Sequence, residues 1–287
     1  MTRQTWFITG ASSGFGEAFA RHAVAQGHNV VVTARDPSRL SVIAALAPER
    51  VLVHRLDVIQ PGEAKEAIDA AIARFGRIDV LINNAGYGIV GAAEETPERE
   101  LRAQMETNFF GAVGVTNAAL PQFRAQGSGA IVNISSLGGQ LSFAGFSAYS
   151  ASKFALEGFS EALAAEMAPF GVKVLIVEPG AFRTRLAGEA MKHMPIIPAY
   201  DDVVGATRNF ARHMDGTQEG DPLKAAAAIE MALKDDKTPL RLQLGRDAVD
   251  AVRAHAEQLL ADLALWEDVA IDTRLDRTAA LATNTDG

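Results

Sequence analysis

Short β-branched or apolar runs at 6–9, 30–33, 51–54, 80–82, 130–134 and 172–177 alternate with longer segments, such as 15–26, 64–75 and 151–170, whose apolar residues recur at spacings of three and four. The runs have the length of strands and the segments have the period of helices. This alternation specifies a parallel sheet, because parallel neighbours must be joined by right-handed, usually helical crossovers. The expected architecture is α/β: a doubly wound parallel sheet with helices on both faces. With 287 residues, 48% of them hydrophobic, the chain can bury a sizeable core, and a single domain over 1–287 is expected.

Past Pro179-Gly180 the rhythm breaks into about forty irregular or weakly helical residues, and regular spacing returns at Asp221-Pro222, a helix N-cap followed by an N1 proline. An insertion of this length over 182–220 reads as a substrate lid or as a surface loop without a role. A last strand at 240–244, a C-terminal helical extension over 247–263 and a polar tail follow. The formal net charge of -8 argues against nucleic acid or an anionic membrane as partner. No cysteine is present, so redox chemistry must come from a bound cofactor, and the six histidines show no paired spacing that would suggest a metal site. No secretory signal or membrane-length apolar run is visible, and a soluble, cytoplasmic protein is expected.

Where the first strand hands over to a helix stands Thr9-Gly10-Ala11-Ser12-Ser13-Gly14-Phe15-Gly16. Gly10 permits a tight turn, Gly14 lets backbone N–H groups approach a pyrophosphate, and Gly16 allows close helix–sheet packing. The helix N-terminus then faces the phosphates with its partial positive charge. The second strand ends at Ala34-Arg35, where an NAD-binding fold usually carries an acid for the ribose hydroxyls. A guanidinium there suits the 2′-phosphate of NADP(H), although a solvated surface arginine beside Asp36 has the same appearance.

Tyr149 and Lys153 open the longest helical segment and lie four apart, on one face. A neighbouring ammonium is expected to lower the phenol's pKa and fit it for proton transfer. Such a pair is common on helix surfaces and says little alone. Ser136 follows the apolar strand at 130–134, near the carboxyl end of the sheet, where doubly wound folds bind ligands. Without a G-x-S-x-G turn its expected role is to polarise a carbonyl, not to attack it.

Together these residues resemble the short-chain dehydrogenase/reductase family over essentially the whole chain, which implies a Rossmann fold. The T-G-x-x-x-G-x-G turn at Thr9 to Gly16 is that family's variant, and N-N-A-G stands at Asn83-Asn84-Ala85-Gly86. The resemblance implies Asp57, beside Val58, on the adenine side of the cofactor; Asn84, Ala85 and Gly86 along it; and Pro179, Gly180 and Thr184 near the nicotinamide. It implies Ser136, Tyr149 and Lys153 as catalytic residues, with Lys153 also on the nicotinamide ribose and Asn108 holding a proton-relay water. Asn108 as helix packing, Asp57 as a strand-end polar residue and Thr184 as a cap are the plainer alternatives. The segments around Asp221-Pro222, Pro239-Leu240 and Leu244-Gly245 resemble the 17β-hydroxysteroid and retinol dehydrogenase-like branch.

The expected function is an NADP-dependent oxidoreductase of the carbonyl reductase or alcohol dehydrogenase type. Its substrate is read as a fairly hydrophobic ketone or secondary alcohol, because Tyr87, Gln140, Phe143 and Phe182 are candidate lining residues, together with Met191, His193 and Met194 of the lid. For each of these, ordinary packing is the competing reading. A homo-oligomer, dimer or tetramer, is expected from the resemblance. A catalytically silent nucleotide-binding sensor or scaffold is the alternative, and it would be free to lose Ser136, Tyr149 or Lys153.

Overall fold

The computed structural model describes residues 3–186 and 188–274. Seven strands form one parallel sheet: β1 (Thr5–Ile8), β2 (Asn29–Ala34), β3 (Val51–Arg55), β4 (Val80–Asn83), β6 (Gly129–Ile134), β7 (Val172–Pro179) and β9 (Arg241–Leu244). β5 (Gly88–Val90) and β8 (Met191–His193) pair with each other in a separate parallel ribbon. The main order is β3-β2-β1-β4-β6-β7-β9. The chain winds outward from β1 through β2 to β3, then starts again at β4 on the other side of β1. The crevice beyond the carboxyl ends of β1 and β4 is the switch point at which such sheets bind ligands.

Each central strand is apolar on both sides because both faces are covered. Trp6 and Ile8, Val30 and Val32, and Val80 and Ile82 enter one core, beneath α1 (Gly14–Ala25) and α8 (Pro222–Lys234). Phe7, Val31 and Leu81 enter the other core, beneath α3 (Glu63–Phe75), α5 (Gly111–Gln126) and α6 (Ser147–Met167). Burial on both faces is why these strands read as continuous apolar runs without alternation. The remaining helices are α2 (Ser41–Leu46), α4 (Glu98–Met105), α7 (Asp201–His213) and α9 (Arg246–Ile271). Among the described residues no helix is long and apolar enough to cross a membrane.

The segment over 182–220 differs from its sequence reading. It carries a strand, β8, and a full helix, α7, whose acidic first turn (Asp201, Asp202) and basic last turn (Arg212, His213) suit the helix dipole. A buried ion pair between Glu95 and Arg208 docks α7 on the body. The Glu95 carboxylate also accepts from Ala92 N at 2.6 Å and Ile197 N at 2.7 Å, and Arg208 reaches Asp201 at 2.8 Å. The helix expected after Asp221-Pro222 is present with its cap, Asp221 accepting from Leu223 N at 2.8 Å. The last helix runs on to Ile271, past the expected end at 263, since nothing from Ala264 to Ile271 breaks a helix. The polar tail beyond 274 lies outside the described residues.

Candidate active site

Gly10 and Gly14 have φ of 64° and 58°, left-handed values that glycine alone adopts without strain. At Gly10 a Cβ would also lie 2.9 Å from Ala85 Cα, so the turn after β1 presses against the segment after β4. Thr9 joins the two: its hydroxyl accepts from Asn84 N at 2.9 Å and from Ala85 N at 3.0 Å. The Asn84 amide donates back to the carbonyls of Thr9 (2.9 Å) and Gly10 (3.1 Å). Ser13 is the N-cap of α1 and makes no side-chain capping bond, so the first N–H groups of α1 are left for a ligand. A cleft of about 410 Å³ lined by Gly14, Thr184 and Arg185 opens beside this terminus and does not extend to Tyr149. The turn thus fits a pyrophosphate on its own geometry.

The other residues expected on the cofactor side follow the carboxyl ends of β2, β3 and β7. Arg35 is exposed and has no hydrogen bond or ion pair with the described residues, whereas its neighbour Asp36 caps the next turn by accepting from Ser38 N (3.0 Å) and Ser38 Oγ (2.7 Å). Asp36 therefore forms no ion pair with Arg35, and Arg39 lies 3.6 Å from Glu189. Asp57 accepts weakly from Ile59 N at 3.3 Å, and Val58 packs over Gly111. Thr184 lies over Gly14, and the Pro179-Gly180 turn is held by Asp247, which accepts from Ala181 N at 2.7 Å.

Ser136, Tyr149 and Lys153 come together at the carboxyl end of β6. Ser136, two residues past the end of β6, has extended backbone, its hydroxyl accepting from Gly138 N at 3.0 Å and lying beside the Tyr149 phenol. Lys153 Nζ is buried, donates to Ile134 O at 2.8 Å and lies 5.8 Å from the Tyr149 ring centre. Burial pushes the Lys153 ammonium down to about 8, opposed by Glu157 one turn along α6. Burial also raises the Tyr149 phenol, opposed by the bond with Ser136. The expectation that Lys153 lowers the phenol is therefore corrected: desolvation outweighs it, and Tyr149 holds its proton at neutral pH.

Asn108 sits fully buried in a π turn (Glu106–Phe110) between α4 and α5, a geometry frequent at functional sites. Its Oδ1 accepts from Tyr87 N (3.1 Å), and its Nδ2 donates to Tyr87 O (2.9 Å) and Ser152 Oγ (3.1 Å). Ser152 donates in turn to Tyr149 O at 2.7 Å. Asn108 thus ties the segment after β4 to the Tyr149 helix. Sequence reasoning missed Ser152, and it missed Gln104, which donates to the same Tyr87 carbonyl at 2.8 Å. Neither lies in a pattern that separates it from ordinary helix polar residues.

Two of the proposed lining residues are otherwise engaged. Gln140 donates at 3.1 Å to both Glu157 and Glu178, which form a buried carboxylate cluster with Arg241, so its amide is not free for substrate. Phe182 is core, packed on Phe15 with ring centres 5.1 Å apart, because its apolar ring fills the gap between α1 and α8. Tyr87 carries the Lys192 ammonium 4.9 Å from its ring, and Phe143 is half exposed. Met191 of β8 lies against Gly88 and Phe146 against Tyr149, the two rings with centres 6.1 Å apart, which gives Tyr149 apolar neighbours.

The family model for short chain dehydrogenases matches residues 4–195. An oxidoreductase of Botryotinia fuckeliana is 40% identical over 267 residues, covering 93% of this chain and 97% of the relative. The crystal structure of a short-chain dehydrogenase from Streptomyces avermitilis superposes with a TM-score of 0.91 at 53% identity, covering 96% of this chain and all of that one. The alcohol dehydrogenase of the archaeon Thermococcus sibiricus, complexed with 5-hydroxy-NADP, gives 0.70 at 27% identity, with 85% and 96% covered. With its glycine turn, its Tyr149–Lys153 pair and these relatives over most of its length, the chain belongs to the short-chain dehydrogenase/reductase family of oxidoreductases.

Proposed function

We propose that the protein is an NADP-dependent carbonyl reductase or alcohol dehydrogenase acting on a fairly hydrophobic ketone or secondary alcohol. The observation that carries this reading is the meeting of Ser136, Tyr149 and Lys153 beside the crevice into which the glycine turn faces. When bound, the nicotinamide supplies or accepts the hydride. Ser136 and Tyr149 then hydrogen-bond the substrate oxygen, and in reduction the Tyr149 phenol gives its proton to that oxygen as the C–H bond forms. Lys153 stabilises the phenolate left behind and hands a proton back toward Tyr149, its pKa near 8 letting it stay largely charged yet release a proton readily. A phenol kept protonated by burial favours reduction at neutral pH.

Arg35, exposed and unpaired among the described residues at the end of β2, supports NADP(H) over NAD(H). Phe146 against the Tyr149 ring, and Met191 beside it on Gly88, support an apolar substrate. We assign the chain to the 17β-hydroxysteroid and retinol dehydrogenase-like branch, as one cytoplasmic domain with a lid over 182–220 that assembles as a homo-oligomer. The test is NADPH oxidation with a panel of aliphatic and aromatic ketones for the parent and for Tyr149→Phe. Loss of on the order of a hundredfold or more in kcat with cofactor affinity within a few-fold is expected, as for removal of a general acid. A Tyr149→Phe enzyme that keeps its rate would overturn the mechanism.

A further inference from the structure

The longest helix of the protein leaves the body it belongs to. The first turns of α9 are anchored by buried Ala248 and by Asp247 at the Gly180 turn, but from Ala256 to Ile271 every residue is exposed. This 26-residue helix, about 39 Å long at 1.5 Å per residue, carries Leu259 at 55%, Leu263 at 63% and Trp266 at 62% exposure. Nothing among the described residues covers them. A run of large apolar side chains on a projecting helix marks an interaction surface.

The spacing says what kind. Val252, Ala256, Leu259, Leu263, Trp266 and Ala270 follow one another at alternating intervals of four and three, the seam of a two-stranded coiled coil. Leu265 and Ile271 lie off this seam. The flanking positions discriminate between the two ways of pairing two copies. In a parallel pair the flanks would set Asp262 against the partner's Glu267, twice, with no attraction to offset the repulsion. In an antiparallel pair centred near Ala261, Arg253 faces the partner's Glu267 on both sides of the axis, and the one like-charge contact is Asp262 with the partner's Asp262. The same register fits the core by size: Leu259 meets the partner's Leu263, and small Ala256 meets the bulky partner's Trp266.

We infer that α9 is a self-association helix, pairing antiparallel with α9 of a second copy of this chain about a two-fold axis near Ala261. This deepens the homo-oligomer assignment above and rests on it. The occupant is a second copy because the seam and its flanking charges are self-complementary under a two-fold.

Analytical ultracentrifugation of the full-length chain tests it, with circular dichroism to check folding. The parent should be a dimer or a higher even oligomer, and Leu259→Asp with Leu263→Asp should weaken the α9 contact at least roughly a hundredfold, since four leucines leave the interface. Glu267→Arg should weaken it about tenfold or less, and adding Arg253→Glu should restore it. The chain has no cysteine, so Asp262→Cys reports orientation cleanly, and a short thiol-reactive cross-linker should join two copies through that one site. A monomeric parent at micromolar concentration would overturn both the self-association and the role of α9. An oligomer indifferent to the two leucines would keep the self-association and overturn α9 as its surface. A failed charge reversal together with absent cross-linking would overturn the antiparallel register.

Discussion

Replacing Arg208 by methionine should release α7 without unfolding the protein. Arg208 and Glu95 are both almost completely buried, and the Glu95 carboxylate holds together Ala92, Ile197 and Arg208 from three segments. Removing one partner from a buried pair leaves an uncompensated charge and costs about 3–5 kcal/mol. The contact with Asp201, itself more than half exposed, adds little. Against this, α7 anchors itself through Val204 and Ala211; burying the valine contributes about 1.5–3 kcal/mol and the alanine methyl roughly 0.8. The anchor comes to about 2.3–3.8 kcal/mol against a penalty of about 3–5 kcal/mol, so the balance tips toward local release over retention of a naked carboxylate. The two cores that cover the sheet do not include α7 and stay folded.

The linkage gives this prediction a second arm. In the parent, burial would raise the Glu95 pKa, but the backbone bonds of Ile197 and Ala92 and the Arg208 guanidinium together hold it below the ordinary value of 4.5. Without Arg208 the desolvation is opposed by the two amides alone, and the folded value moves upward. A carboxyl whose folded value is raised above its undocked value destabilises the docked state while ionised and stops doing so once protonated, so α7 should re-dock as pH falls through that raised value. Hydrogen exchange over 191–213, corrected for intrinsic rates, is the assay. Protection equal to the parent at pH 8, or loss that acidification does not repair, would refute the reasoning.

For the cofactor, Arg35→Ala should lower the NADPH-to-NADH ratio of kcat/KM by roughly ten- to a hundredfold, the worth of one charge-assisted contact of about 1.5–3 kcal/mol. Ala34→Asp should penalise NADPH while sparing NADH, and an unchanged ratio in Arg35→Ala would move the 2′-phosphate elsewhere. For stability, burial raises Glu178 to about 7, so between about pH 4.5 and 7 the folded state binds a proton that the unfolded state does not, and stability falls as pH rises through that window. Glu178→Gln should flatten this part of the Tm-against-pH curve; a curve as steep as the parent's would show that the group is ordinary.

The fold and the meeting of Ser136, Tyr149 and Lys153 were legible for the same reason: both are written locally. Parallel strands buried on two faces leave unbroken apolar runs, and the turn at Thr9 to Gly16 and the four-residue interval from Tyr149 to Lys153 need no distant partner to be read. What stayed hidden depends on pairs far apart in sequence. β5 is three residues long and becomes a strand only because β8, on the far side of the Tyr149 helix, pairs with it. Phe182 and Gln140 have the chemistry of lining residues, and only the tertiary structure shows one packed on Phe15 and the other committed to Glu157 and Glu178. Glu157 lay between these cases, since its place one turn beyond Lys153 was readable while its burial beside Glu178 and Arg241 was not. The same contrast explains why the phenol shift was misjudged. Spacing reveals which charge stands next to Tyr149, but the sign of its shift is set by desolvation, which is contributed by the whole fold around it.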